Sequence, residues 1–170
     1  MISGICGINH IALSVDDLAK AEAFYVDAIG FDLVERYAFE PDALTDRVSG
    51  LENCSAQALL IAAGNIYLEI FEFTSPIPAA VDGDRPVCDF GYTHIALDVD
   101  PESVDTVYRE LEQAGVRWHH PPTGDMGDGL VMTYGRDPFG NVIELQALDP
   151  SGTVHCQRLP HWRPVTGQGT

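Results

Sequence analysis

Gly7-Ile8-Asn9-His10-Ile11-Ala12-Leu13-Ser14-Val15-Asp16 returns 84 residues later as Gly91-Tyr92-Thr93-His94-Ile95-Ala96-Leu97-Asp98-Val99-Asp100, with seven of ten positions identical. A match of that density marks an internal duplication. Each copy alternates apolar and small or polar residues, as a half-buried strand does, and then passes into a helical stripe. The first stripe is Leu18, Ala21, Phe24, Tyr25, Ala28 and Ile29; the second is Val104, Val107, Tyr108, Leu111 and Ala114. Asp16 or Asp17 is placed to cap the first helix, and Asp100 the second, with Pro101 at its first position. Gly30 and Gly115 stand where the helices should stop.

Short extended stretches follow each helix, at about 32–39, 57–63 and 65–73 and then at 116–120, 129–136 and 141–148. Gly64-Asn65 and Gly140-Asn141 mark the turns into the last strands. The order is therefore βαβββ, twice: an α+β chain with a first module over 1–80, a second over 81–148 and a tail over 149–170, all in one compact domain. Residues 40–56 are expected as a loop and 74–90 as the linker. The tail is expected to pack loosely or to reach a neighbouring chain, with His155 and His161 facing solvent.

Strand parity then selects a site, because side chains on a strand alternate between faces. Ile11, Leu13, Val15, Ile95, Leu97, Val99, Leu68, Ile70, Ile143 and Leu145 take the helix side. His10, His94, Glu69 and Glu144 take the other, and Glu72 is excluded by the same parity. His10 matches His94, and Glu69 matches Glu144. If the two sheets curve toward each other, these four side chains converge. A lone strand histidine is usually a hydrogen-bonded core or surface group, but a glutamate among aromatics needs a partner. Two imidazoles with two carboxylates suit a divalent transition metal with positions left open for water or substrate. Tyr67, Phe71 and Phe73 share that face and suggest a fairly apolar organic substrate.

Composition excludes several classes of function. Nine basic residues against 26 acidic ones give a net charge of −17, with Lys20 the only lysine. That balance argues against nucleic acid and anionic membrane surfaces, which need a positive face. There is no run of 18 apolar residues to span a bilayer, and the N-terminal stretch does not read as a signal peptide. Cys6, Cys54, Cys88 and Cys156 are scattered with no CxxC pair, so reduced thiols in a cytoplasmic protein are expected.

The stretches Asn9–Asp16, Ala23-Phe24-Tyr25 leading to Ile29-Gly30-Phe31, Tyr67-Leu68-Glu69-Ile70, Thr93–Leu97 and Asp137-Pro138-Phe139-Gly140-Asn141-Val142-Ile143-Glu144-Leu145 resemble the vicinal oxygen chelate superfamily. That superfamily includes glyoxalase I, methylmalonyl-CoA epimerase, extradiol dioxygenases and the bleomycin and fosfomycin resistance proteins. The resemblance covers about residues 5–148. It implies paired βαβββ modules whose curved mixed sheets surround a metal cavity, with His10, Glu69, His94 and Glu144 as ligands. The implied cofactor is a divalent ion: nickel, cobalt, zinc, manganese or iron. The implied activity is that of a glyoxalase-like lyase, isomerase or epimerase on a small oxygenated molecule, through an enediolate, with Glu69 or Glu144 as general base. Homodimers are implied as well.

Two alternatives accompany this reading. An Fe(II) ring-cleaving dioxygenase is suggested by Tyr134-Gly135-Arg136-Asp137-Pro138-Phe139-Gly140, which resembles the tail of the extradiol signature. It lacks the histidine expected before Tyr134, and Glu69 would be superfluous in its iron triad. A metal-free, drug-sequestering binding protein would use the same cavity without turnover. An anionic thiol conjugate would call for arginines; Arg36, Arg47 and Arg136 are available.

Overall fold

The computed structural model describes residues 7–79, 84–152 and 154–159. Cys6 and His161 lie outside these residues. The chain divides into two compact units at Ala79/Ala80.

The first unit runs β1 (His10–Ser14), α1 (Leu18–Glu22), β2 (Asp32–Phe39), α2 (Ala43–Ser49), β3 (Ser55–Ala62) and β4 (Tyr67–Ser75). Its four strands are ordered β1-β4-β3-β2, with β1 parallel to β4 and the other pairs antiparallel. Asp17 caps α1 by accepting from the Lys20 amide at 2.9 Å. Past Glu22 the helix widens over Ala23–Ala28, where the Ile29 amide reaches back to the Phe24 carbonyl at 3.0 Å. The wide turn carries Phe24 and Tyr25 into the core, their rings edge to face at 4.9 Å. Gly30, at φ 88°, then supplies the left-handed residue that ends the helix. Tyr25, Leu59, Ile61 and Ile70 are completely enclosed.

The second unit runs β5 (His94–Asp98), α3 (Val104–Gln113), β6 (Arg117–Trp118), β7 (Thr123–Asp125), β8 (Leu130–Arg136) and β9 (Val142–Leu148). Its sheet is ordered β5-β9-β8-β6, with β7 also on β8, and β5 is parallel to β9. Ile143 and Leu145 form its enclosed centre. Trp118 stacks on Tyr108 at 5.2 Å and donates its indole N–H to the Tyr108 carbonyl. Gly135 is required beneath it, since a Cβ there would lie 2.5 Å from the Trp118 ring. Among the described residues, no helix is long and apolar enough to cross a membrane.

The α+β, twice-βαβββ architecture is thus present, with two mixed sheets and the expected parity. Three expectations are corrected. Residues 40–56 are not simply a loop. They contain α2, capped by Asp42, which accepts from the Leu44 and Thr45 amides, and stopped by Gly50. No residue of α2 is buried, and its two large apolar residues, Leu44 and Val48, are exposed, so it shows only a short, unpacked apolar pair at helical spacing. The helix α3 starts later than Asp100-Pro101 implied. Ser103 precedes it, and Asp100 instead accepts the Ser103 amide through its backbone carbonyl in a preceding turn. Finally, His155 does not face solvent: it is 4% exposed, and Asp98 on β5 holds both it and the amide of Cys156. The described part of the tail is packed against the second unit.

Candidate functional site

In the first unit, His10 lies beside Tyr67 and Ala12 beside Glu69 in the parallel β1–β4 ladder. The pleat puts His10, Tyr67, Glu69 and Phe71 on the face away from the helix. There His10 Nε2 stands 3.3 Å from Glu69 Oε2. The other ring nitrogen donates to Asn9 Oδ1 at 3.0 Å. The second carboxylate oxygen, Glu69 Oε1, accepts from the Tyr37 hydroxyl of β2. Burial, first, and then the bond to Glu69 and the charges of Glu69 and Glu35 push the Tyr37 phenol above its usual range. It therefore stays a neutral donor. Phe71 packs against Phe73 at 5.4 Å, Phe39 at 6.3 Å and Tyr37 at 6.4 Å, an aromatic floor beside the pair.

The second unit repeats the construction. Ala96 lies beside Glu144 in the β5–β9 ladder, as Ala12 lies beside Glu69, so the histidine again precedes the carboxylate's neighbour by two positions. His94 Nε2 stands 3.1 Å from Glu144 Oε2, and its Nδ1 lies 2.8 Å from Thr93 Oγ1. Tyr134, on β8 opposite Glu144, sets its ring edge-on to His94 at 5.0 Å. Its phenol is pushed up by burial, then by the charge of Glu144 and a hydrogen bond to it. The Glu144 side chain is 8% exposed and that of Glu69 20%.

The donor set fits a cation. Asn9 Oδ1 can only accept, so His10 Nδ1 donates to it and Nε2 is left facing a carboxylate oxygen. A nitrogen and an oxygen that close need a proton or a positive ion between them. Donors each about 2.1 Å from one ion and near a right angle stand about 3 Å apart, which is close to both observed separations. Each pair is one nitrogen with one oxygen, and the residue before each histidine orients its ring. Such donors suit manganese, iron, cobalt, nickel or zinc.

Other expected residues resolve as follows. Glu72 accepts from the Leu18 amide at 2.8 Å, so it caps α1 on the helix side. Arg36 pairs with Glu22. Arg136 is buried, donating to the Gly140 and Arg85 carbonyls. Asp137 accepts from the amides of Phe139 and Asn141 and from the Asn141 side chain. The Asp-Pro-Phe-Gly-Asn string is thus the turn that launches β9 and aims Glu144. Tyr37 was missed by sequence reasoning. Its signal was present, since Tyr37 and Phe39 alternate along β2, but the register that pairs Tyr37 with Ala58, and Ala58 with Phe71, was needed to assign the face.

The model of the Glyoxalase/Bleomycin resistance protein/Dioxygenase superfamily matches residues 7–145. The chain belongs to this superfamily. It is 29% identical over 170 residues to a 2-epi-5-epi-valiolone epimerase of Actinomyces sp, covering 92% of this chain and 87% of that one. A crystal structure of a glyoxalase family protein from Bacillus cereus superposes with a TM-score of 0.76 at 21% identity, over 86% of this chain and 96% of the other. A mutant of the fosfomycin resistance protein FosX of Listeria monocytogenes, in complex with Mn(II) and 1S,2S-dihydroxypropylphosphonic acid, matches with a TM-score of 0.51 at 25% identity, over 88% and 96% of the two chains. The superfamily thus includes an epimerase and a protein that holds a divalent metal and a small oxygenated molecule.

Proposed function

We propose that this chain is a metal-dependent isomerase or lyase of the glyoxalase-like kind, acting on a small oxygenated organic molecule. The observation that carries the reading is the repeated pair: His10 with Glu69 and His94 with Glu144, nitrogen to oxygen at 3.3 and 3.1 Å, on equivalent positions of duplicated sheets. The pairs would combine within a chain, or between the copies of a homodimer, to hold one nickel, cobalt, zinc, manganese or iron ion. When bound, that ion supplies charge stabilisation to neighbouring substrate oxygens.

The chain's own groups do the rest. Glu144 is the more deeply buried carboxylate and serves as anchor. Glu69 is more open, and we assign it the general base that takes a carbon-bound proton and returns it to the same or the neighbouring carbon. Tyr37 holds Glu69 Oε1, so the proton would go to Oε2, the oxygen beside His10, once that oxygen loosens from the ion site. Tyr67 and Phe71 give the substrate an apolar wall, and Tyr134 fixes His94. Arg36 and Arg136 are committed to Glu22 and to backbone carbonyls, so neither offers a ready anion clamp. This favours a lightly charged substrate over a thiol conjugate. A cytoplasmic setting suits Cys54, Cys88 and Cys156, which form no disulfide with one another.

The test is a screen of ion-reconstituted protein against hemithioacetals, 2-substituted acyl thioesters, cyclic hydroxyketones and catechols. Isomerisation or proton exchange on one of the first three supports the reading. The contact of Tyr134 with His94 and Glu144 favours one second reading, Fe(II)-dependent ring cleavage. Oxygen uptake on a catechol would establish that reading and reject ours.

A further inference from the structure

A second group of donors gathers at the far end of β5. Asp98 lies four residues beyond His94, about 13 Å along an extended strand. Its side chain is 7% exposed. Oδ2 accepts the Cys156 amide at 3.1 Å and stands 3.7 Å from His155 Nε2. Oδ1 is buried and reaches no hydrogen-bond partner among the described residues. A buried carboxylate oxygen left without a donor keeps the cost of losing water with nothing in return. Around it, one ligand atom each from Asp98, His155 and Cys156 lies within 4.8 Å of the others.

We propose that Asp98, His155 and Cys156 form a zinc-type site that pins residues 155–159 to the end of β5. Carboxylate, imidazole and thiolate are the three donor types zinc takes, and three protein ligands leave a fourth position for water. The thiolate separates this cluster from the His–Glu pairs, whose donors are nitrogen and oxygen only. The ion would give Asp98 Oδ1 the partner it lacks. Ligands around zinc stand about 3.3–3.8 Å apart, so loading draws the group inward by about 1 Å. Cys156 is only partly buried. His155 Nδ1 accepts the Gln157 amide at a long 3.3 Å. Binding through Nε2 moves the ring proton to Nδ1 and turns the exposed Gln157 amide to water.

Cobalt(II) titration of the metal-stripped full chain tests this directly, because a thiolate-to-cobalt charge-transfer band in the near ultraviolet arises only where sulfur is a ligand. The band is expected to reach its full height by two equivalents in the wild type, since the His–Glu pairs also take cobalt. It should vanish in Cys156→Ser and in Asp98→Asn, and persist in Cys88→Ser, an exposed thiol elsewhere in the same unit, and in His10→Ala. Zinc should displace cobalt, and should slow amide exchange at residues 156–159 in the wild type but not in Asp98→Asn. Circular dichroism checks that each variant is folded. Absence of the band in the wild type, its survival in Cys156→Ser or its loss in Cys88→Ser would each overturn the site.

Discussion

The two His–Glu pairs share a register but not an environment. Both stand on a parallel ladder, with the histidine two positions before the carboxylate's neighbour. The first is open: the side chains of His10 and Glu69 are 44% and 20% exposed, against 29% and 8% for His94 and Glu144. The hydroxyl on each carboxylate also comes from a different place. Tyr37 reaches Glu69 from β2, two strands away, while Tyr134 sits directly opposite Glu144 on the adjacent strand. Duplication preserved the donors and the backbone that aims them. In the proposed function, burial separates their work. A carboxylate deep in the sheet can hold an ion but has little freedom, whereas a half-open one can also meet a substrate proton.

Removing each carboxylate should therefore have different consequences, and these are the largest effects expected. Glu144→Gln should lose both ion retention and turnover. Glu69→Gln should keep most of its ion while kcat falls by about 10²–10⁴-fold, the usual contribution of a general base. Equal loss of ion in both variants would make the pairs equivalent and remove the division of labour.

The platforms beneath the pairs should prove equally dependent on packing. Ile70→Ala under the first and Ile143→Ala under the second each empty a fully enclosed position. Each should cost about 2–5 kcal/mol in urea unfolding. A loss confined to one of them would show that one half is loosely built.

Smaller changes are expected at the tyrosines. Tyr134→Phe removes a donor from Glu144, the proposed anchor, which should weaken ion affinity by about 10–100-fold. Tyr37→Phe should instead lower kcat with little change in ion affinity, because it frees Glu69, the proposed base.

The smallest effect lies where the halves differ in fold, at α2, which has no counterpart among the described residues of the second unit. Hydrogen bonds from the Thr45 hydroxyl, first, and then from the Thr45 and Leu44 amides hold the Asp42 carboxyl below its ordinary value. Its support for α2 is thus present above pH about 4, the unfolded value, and is lost as pH falls through the lowered one. Amide exchange at Leu44 and Thr45 should quicken in acid while the rest of the unit is unchanged, and Asp42→Asn should flatten that dependence.

Most of the frame was legible because it is written in short-range pattern. The duplicated ten residues, the period-two strands and the glycines at the helix ends each act within a few positions, and parity alone put the four donors on one face of their strands. What escaped depends on contacts distant in sequence or on the absence of burial. Tyr37 needed the register of β2 on β3. His155 looked like a tail residue until Asp98, 57 positions earlier, was seen to hold it. The helix α2 buries nothing, so only its Asp42 cap and Gly50 stop announced it. Asp100 had the residue type of a cap but is spent on a turn that delays α3.

Calorimetric titration of metal-stripped protein with Mn(II) tests the central claim most directly, since the thiolate-containing cluster disfavours that ion. One Mn(II) per chain is expected in the wild type, with affinity reduced at least about 100-fold by His10→Ala and by His94→Ala alike. Wild-type affinity in either variant would show that the ion is not shared by the two pairs, and would contradict that claim.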